Sequence, residues 1–183
     1  MSQKKVGVLI GSNRKASYSR KMAHAIAELA PQGLAIDIIE IDQLPFYNQD
    51  LEDAGQQPQA WLQFREQVHA CDALLFITPE YNRGLPALLK NAVDVGSRPY
   101  GKAVWTGKPG AVISISQGAM AGFGANHALR MSLVAVGVAT MAHPEAYVGN
   151  VGSLFNEEGR LVADSTREFL SKFMGAFQQW IGS

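Results

Sequence analysis

The chain has 183 residues, 47% of them hydrophobic, which suits a single domain over residues 1–183 with a well-packed core. Lys and Arg total 16 and Asp and Glu total 16, so no overall field draws the protein toward nucleic acid or an anionic membrane. MSQKK shows no signal-peptide pattern, no apolar run nears the roughly 20 residues of a membrane span, and one cysteine, Cys71, leaves no internal disulfide, so the expected setting is cytoplasmic.

The first predicted strand is Lys5 to Ile10, an apolar run that breaks into GSNRKASYSR before a helix from Ser19 to Ala30. Ser12, Ser17 and Ser19 supply hydroxyls, Arg14 and Arg20 supply guanidinium forks, and the helix start adds backbone N–H groups. That set suits a terminal dianionic phosphate. The loop carries neither the Gly-Lys-Ser/Thr ending of a triphosphate loop nor GxGxxG, which counts against a nucleoside triphosphatase and against a pyrophosphate dinucleotide.

A second strand is predicted at Leu34 to Ile39, then an exposed connection around Gln49 to Gln59 and a helix from Pro58 to Ala70. Cys71 enters the third strand, Ala73 to Thr78, as a small buried residue rather than a catalytic thiol. That strand stops at Pro79, which holds Thr78 extended. In PEYN, Glu80 and Asn82 bring polar groups and Tyr81 an aromatic face, a combination suited to a heteroaromatic ring. A helix is predicted from Pro86 to Val95, a fourth strand from Gly110 to Ile115, and then the glycine-rich loop SQGAMAGFG. A helix from Gly124 to Val136, a weak fifth strand from Val138 to Met141, an exposed stretch from Gly149 to Gly159 and a last helix from Asp164 to Trp180 complete the chain.

Buried strands alternating with helices predict an α/β, doubly wound parallel sheet of five strands, order 2-1-3-4-5, with helices on both faces. In such a sheet the three loops leave strands one, three and four on the same edge, where ligands bind. The four histidines are scattered, with no HxxxH or HxH spacing, so no metal site is expected. His127 lies near the third loop as a candidate substrate contact, and Trp61, Trp105 and Trp180 read as core or interface residues. The apolar spacing in NHALRMSLVAVG reads as core or subunit contact, with Arg130 able to pair with an acid such as Glu145 across an interface.

GSNRKASYSR, TPEYN and LKNAVD together resemble the NADPH-dependent FMN reductase family, most closely its bacterial quinone and chromate reductases, which are flavodoxin-like. The resemblance runs from the first strand to the last helix. It implies that Ser12, Asn13, Arg14, Lys15, Ala16, Ser17, Tyr18 and Ser19 wrap the phosphate and ribityl end of FMN. Pro79, Glu80, Tyr81 and Asn82 would line the isoalloxazine ring, chiefly through backbone groups, and Ser116, Gln117 and Gly118 would reach its pyrimidine side or the ribityl chain. Gly84, Ala87 and Val95 depart from the family pattern, which bears on pocket shape and subunit contacts.

The implied activity is ping-pong hydride transfer from NADH or NADPH through FMN to quinones, with chromate or azo compounds as secondary acceptors and no side chain as an obligatory acid or base. The implied assembly is a homodimer or homotetramer. An electron-carrying flavodoxin is a rival, although the chain lacks a TGxT loop and an acidic balance. A flavin reductase that releases reduced FMN is another.

Overall fold

The structure, a computed structural model, describes residues 3–182. Its elements in chain order are β1 (Lys4–Ile10), α1 (Tyr18–Leu29), β2 (Leu34–Ile39), α2 (Gln49–Asp53), α3 (Gln59–His69), β3 (Ala73–Thr78) and α4 (Ala87–Gly96). There follow β4 (Pro109–Ile115), α5 (Phe123–Ala135), β5 (Ala139–Thr140), β6 (Ala146–Val148), a 3-10 turn at Val151–Ser153 and α6 (Asp164–Gly182).

The strands are parallel in the order β2-β1-β3-β4-β5, as the alternation of apolar runs and helices requires. Every residue of β3 is buried, the mark of a central strand covered on both faces. Alternate side chains feed two cores. Val8, Leu75, Ile77 and Ile113 meet α1 and α6 through Met22, Ile26, Phe173 and Phe177. Leu9, Leu74, Phe76 and Val112 meet α3, α4 and α5 through Phe64, Trp61, Leu89 and Leu133. Trp105 closes the second core, fully buried, with its indole N–H donated to the Val93 carbonyl at 2.9 Å.

The outer edge differs from the sequence reading. The fifth strand is short, and β4 changes neighbours along its length: Pro109 and Gly110 pair with β5, whereas Ile113, Ser114 and Ile115 pair with β6. β6 was not anticipated, because three residues are too few to give a period. The connection after β2 also contains more order than expected. Its α2 is fastened by Glu52, which accepts from Arg65 Nη2 at 2.6 Å within a nearly buried ion pair. Arg65 Nε donates to the Val95 carbonyl at 2.9 Å. Burial pushes the Glu52 carboxyl up, but hydrogen bonds from Arg65 and Gln57 outweigh it and hold the group below the usual carboxylate range.

Cys71 is buried and donates to the Gln67 carbonyl, and burial pushes its thiol up, so it is held as an inert thiol. No helix among the described residues is long and apolar enough to cross a membrane.

Candidate active site

The loops after β1, β3 and β4 meet at the carboxyl edge of the sheet, and steric contacts fix how closely. Gly11 continues the β1 ladder by donating to the Ile77 carbonyl at 2.8 Å. A Cβ on Gly11 would lie 2.7 Å from Leu89 Cδ1 and 2.9 Å from Pro79 Cδ. Only a residue without a side chain lets the first loop pass between α4 and the second loop.

Between the loops lies a cleft of about 290 Å³. The first loop lines it with Ser12, Arg14, Ser17, Tyr18 and Ser19. Ser17 caps α1, its hydroxyl accepting from the Arg20 N–H at 3.2 Å, and α1 has no acid in its first turn. The start of this helix therefore keeps its partial positive charge uncompensated. Among the described residues the Arg14 guanidinium has no hydrogen-bond or ion-pair partner, and neither does the hydroxyl of the buried Ser19. Arg20 is different. Its fork is held by Glu40 through bonds of 2.7 and 2.8 Å, so it belongs to the packing of α1 on β2 and not to the expected phosphate set. Asn13, Lys15 and Ala16 are exposed on the same loop and do not line the cleft.

Pro79, Glu80 and Tyr81 form the opposite wall. Tyr81 and Gly84 exchange backbone hydrogen bonds of 3.2 and 2.9 Å, closing a two-residue turn in which Asn82 (φ 52°) and Arg83 (φ 63°) are both left-handed. Asparagine tolerates that conformation better than most residues, which accounts for Asn82 at the turn. Its side chain stands outside the cleft lining. Glu80 accepts from the Ala125 N–H at 3.0 Å and from Arg83 Nη1 at 3.3 Å.

From the third loop, Ser116 and Gln117 line the cleft. The Ser116 hydroxyl donates to the Gly118 carbonyl at 2.8 Å and accepts from the Gly118 N–H at 3.1 Å, which shapes the turn from within. Gly118 is exposed and outside the lining. Two lining residues, Ile115 and Val151, were not foreseen. Val151 follows β6 and donates its N–H to the Ser116 carbonyl at 3.1 Å, so the end of β6 braces the third loop. A Cβ on Gly149 would sit 3.0 Å from the Gly118 carbonyl, which is why this brace packs so closely.

Beside the third loop, Phe123 and His127 lie ring to ring at 4.2 Å. Tyr147 donates to Glu145 at 2.8 Å, leaving its oxygen to accept from His127 Nε2 at 3.2 Å. Burial, and then the bond to Glu145, push the Tyr147 hydroxyl up to about 12. His127 does not line the cleft. Arg130 donates to Asn126 Oδ1 and the Met141 carbonyl, and its buried Nη2 has no hydrogen-bond partner among the described residues. No cluster of three metal-ligating side chains occurs among the described residues.

The donor set fits a phosphorylated flat ligand such as FMN. One end offers a guanidinium unpaired among the described residues, hydroxyls and a helix start, and the other offers the Glu80 backbone and the Tyr81 ring. A family model described as NADPH-dependent FMN reductase matches residues 4–153. A quinone reductase of Pseudomonas putida is 54% identical over 176 residues, covering 96% of this chain and 94% of that protein. A 2-hydroxy-1,4-benzoquinone reductase of a Burkholderia species is 39% identical, covering 97% and 96%. Among solved structures, FerB of Paracoccus denitrificans, a flavoenzyme NAD(P)H:acceptor oxidoreductase, superposes with a TM-score of 0.91 at 38% identity, covering 98% and 97%.

Proposed function

We propose a function from one premise: the chain belongs to the NADPH-dependent FMN reductase family. It is an FMN-dependent oxidoreductase that transfers hydride from NADH or NADPH to quinones. The net reaction oxidises one reduced pyridine nucleotide and reduces one quinone to the hydroquinone, with one proton taken up from solvent. The observation that carries the reading in this chain is the cleft itself, polar and cationic at the Arg14 end and bordered by Pro79, Glu80 and Tyr81 on the opposite side.

FMN, when bound, supplies the two-electron chemistry. The protein supplies binding and orientation. Arg14, the hydroxyls of Ser12, Ser17 and Ser19, and the first N–H groups of α1 hold the phosphate. Pro79, Glu80 and Tyr81 border the ring, and Ser116 and Gln117 border the ring or ribityl chain. Tyr81, half exposed, leaves room beside the ring for a second flat molecule. Pyridine nucleotide and quinone take that place in turn, which gives double-displacement kinetics. No side chain of the cleft is assigned as an acid or base. An open cleft of this kind also admits chromate or azo compounds as secondary acceptors.

The apolar residues that α5 leaves exposed, Phe123, Met131 and Val134, support assembly as a homodimer or homotetramer. Initial rates at several fixed quinone concentrations test the reaction. Parallel double-reciprocal lines are expected, and intersecting lines would contradict the alternating use of one cleft.

A further inference from the structure

We propose that the Glu80 carboxylate is the N-terminal cap of α5, delivered from the second loop, and is thereby the positioning residue that fixes the ring-side wall of the cleft. The proposal rests on the FMN reading above and adds a role for a side chain which that reading left to its backbone.

α5 starts without a cap of its own. Its N-cap position is Gly122, with φ 72° and no side chain, and its first turn contains no acidic residue. The orphan N–H groups of a helix start need an acceptor. One is met from 45 residues away: Ala125, the third residue of α5, donates to Glu80 Oε2 at 3.0 Å. The third N–H is a position that capping side chains bond, and a carboxylate there also complements the helix dipole. The Glu80 side chain is only 10% exposed, so solvent weakens the bond little.

Gly124 is shaped to receive this contact. A Cβ at that position would lie 2.9 Å from Glu80 Oε2 and 2.8 Å from the Arg83 carbonyl. Gly124 therefore clears space both for the carboxylate and for the backbone of the turn that follows it. Glu80 also reaches Arg83 at 3.3 Å, but that guanidinium is 74% exposed and its bond adds little. The wall Pro79–Tyr81 thus follows directly on β3 and is tied through Glu80 to α5, the helix that follows the third loop.

The test uses the full chain as apoprotein and after FMN loading. In Glu80→Ala, amide exchange at Ala125 and Asn126 of the apoprotein should quicken about tenfold, with α1 and α6 unaffected. FMN affinity should fall about tenfold, with a shifted flavin absorption band, although the far-UV spectrum is unchanged. Glu80→Gln keeps an acceptor for the Ala125 N–H and should restore affinity to within about threefold of wild type, whereas Arg83→Gln should change it less than about twofold. Gly124→Ala displaces the carboxylate without removing it and should reproduce the loss, which covers the case in which Glu80→Ala does not fold. Unchanged FMN affinity in Glu80→Ala or Gly124→Ala, or a Glu80→Gln variant as weak as Glu80→Ala, would overturn the capping role. Failure of the wild-type chain to take up FMN would instead overturn the cofactor reading, so the two failures are distinguishable.

Discussion

Removal of the Arg14 side chain separates a phosphate anchor from a solvated surface cation. Arg14 borders the cleft with its guanidinium unpaired among the described residues, whereas Arg20, six residues on, is locked to Glu40 by two short bonds. A charge-assisted hydrogen bond contributes about 1.5 to 3 kcal/mol. Arg14 is exposed, and screening places the expectation near the lower limit, about a tenfold loss of FMN affinity in Arg14→Ala. Titration of apoprotein with FMN, followed by quenching of flavin fluorescence, measures it. Two comparisons sharpen the result. Riboflavin, which lacks the phosphate, should bind wild type and Arg14→Ala alike, and Arg20→Ala should leave FMN affinity within about threefold. Equal losses for FMN and riboflavin, or no loss for FMN, would refute the phosphate role of Arg14.

Gly11→Ala places a methyl group against Leu89 and the rigid ring of Pro79; overpacking of this kind costs about 1 to 3 kcal/mol in chemical denaturation and should weaken FMN binding as well. Arg65→Ala leaves the Glu52 carboxylate without its cation in a nearly buried site, and urea unfolding should show about 3 to 5 kcal/mol of lost stability. The same pair predicts a pH dependence. The folded-state pKa of Glu52 lies below its ordinary value, so its contribution is present above that ordinary value and fades as pH falls through the lowered one. The stability gap between wild type and Glu52→Gln should therefore narrow steadily under acid, and a gap that widens would show the opposite linkage.

The strands that place the site were legible because burial on both faces turns them into uninterrupted apolar runs, as in ALLFIT of β3. β6 was not, since its three residues carry no period and its place beside β4 depends on where β5 ends. Residue type and loop position picked out Ser12, Arg14, Ser17, Ser19, Pro79, Tyr81 and Gln117, and the sheet order brings them to one cleft. Partnership was harder to read. Arg20 and Arg14 look alike in the sequence, and only the position of Glu40 at the end of β2 tells them apart. Glu80 and Asn82 both looked like ring-edge groups, yet one is bonded to α5 and the other sits in a left-handed turn. Such assignments depend on residues far apart in the chain, where local pattern carries no information. Val151 was missed for the same reason: it reaches the cleft only because β6 brings it beside Ser116.

Anaerobic titration of the FMN-loaded protein with NADH and with NADPH, followed by addition of a quinone, tests whether the bound flavin carries electrons from nucleotide to quinone. The flavin absorbance should bleach with about one equivalent of reduced nucleotide and return when about one equivalent of quinone is added. A flavin that stays oxidised with both nucleotides, or that bleaches and is not reoxidised by quinone, would contradict that role.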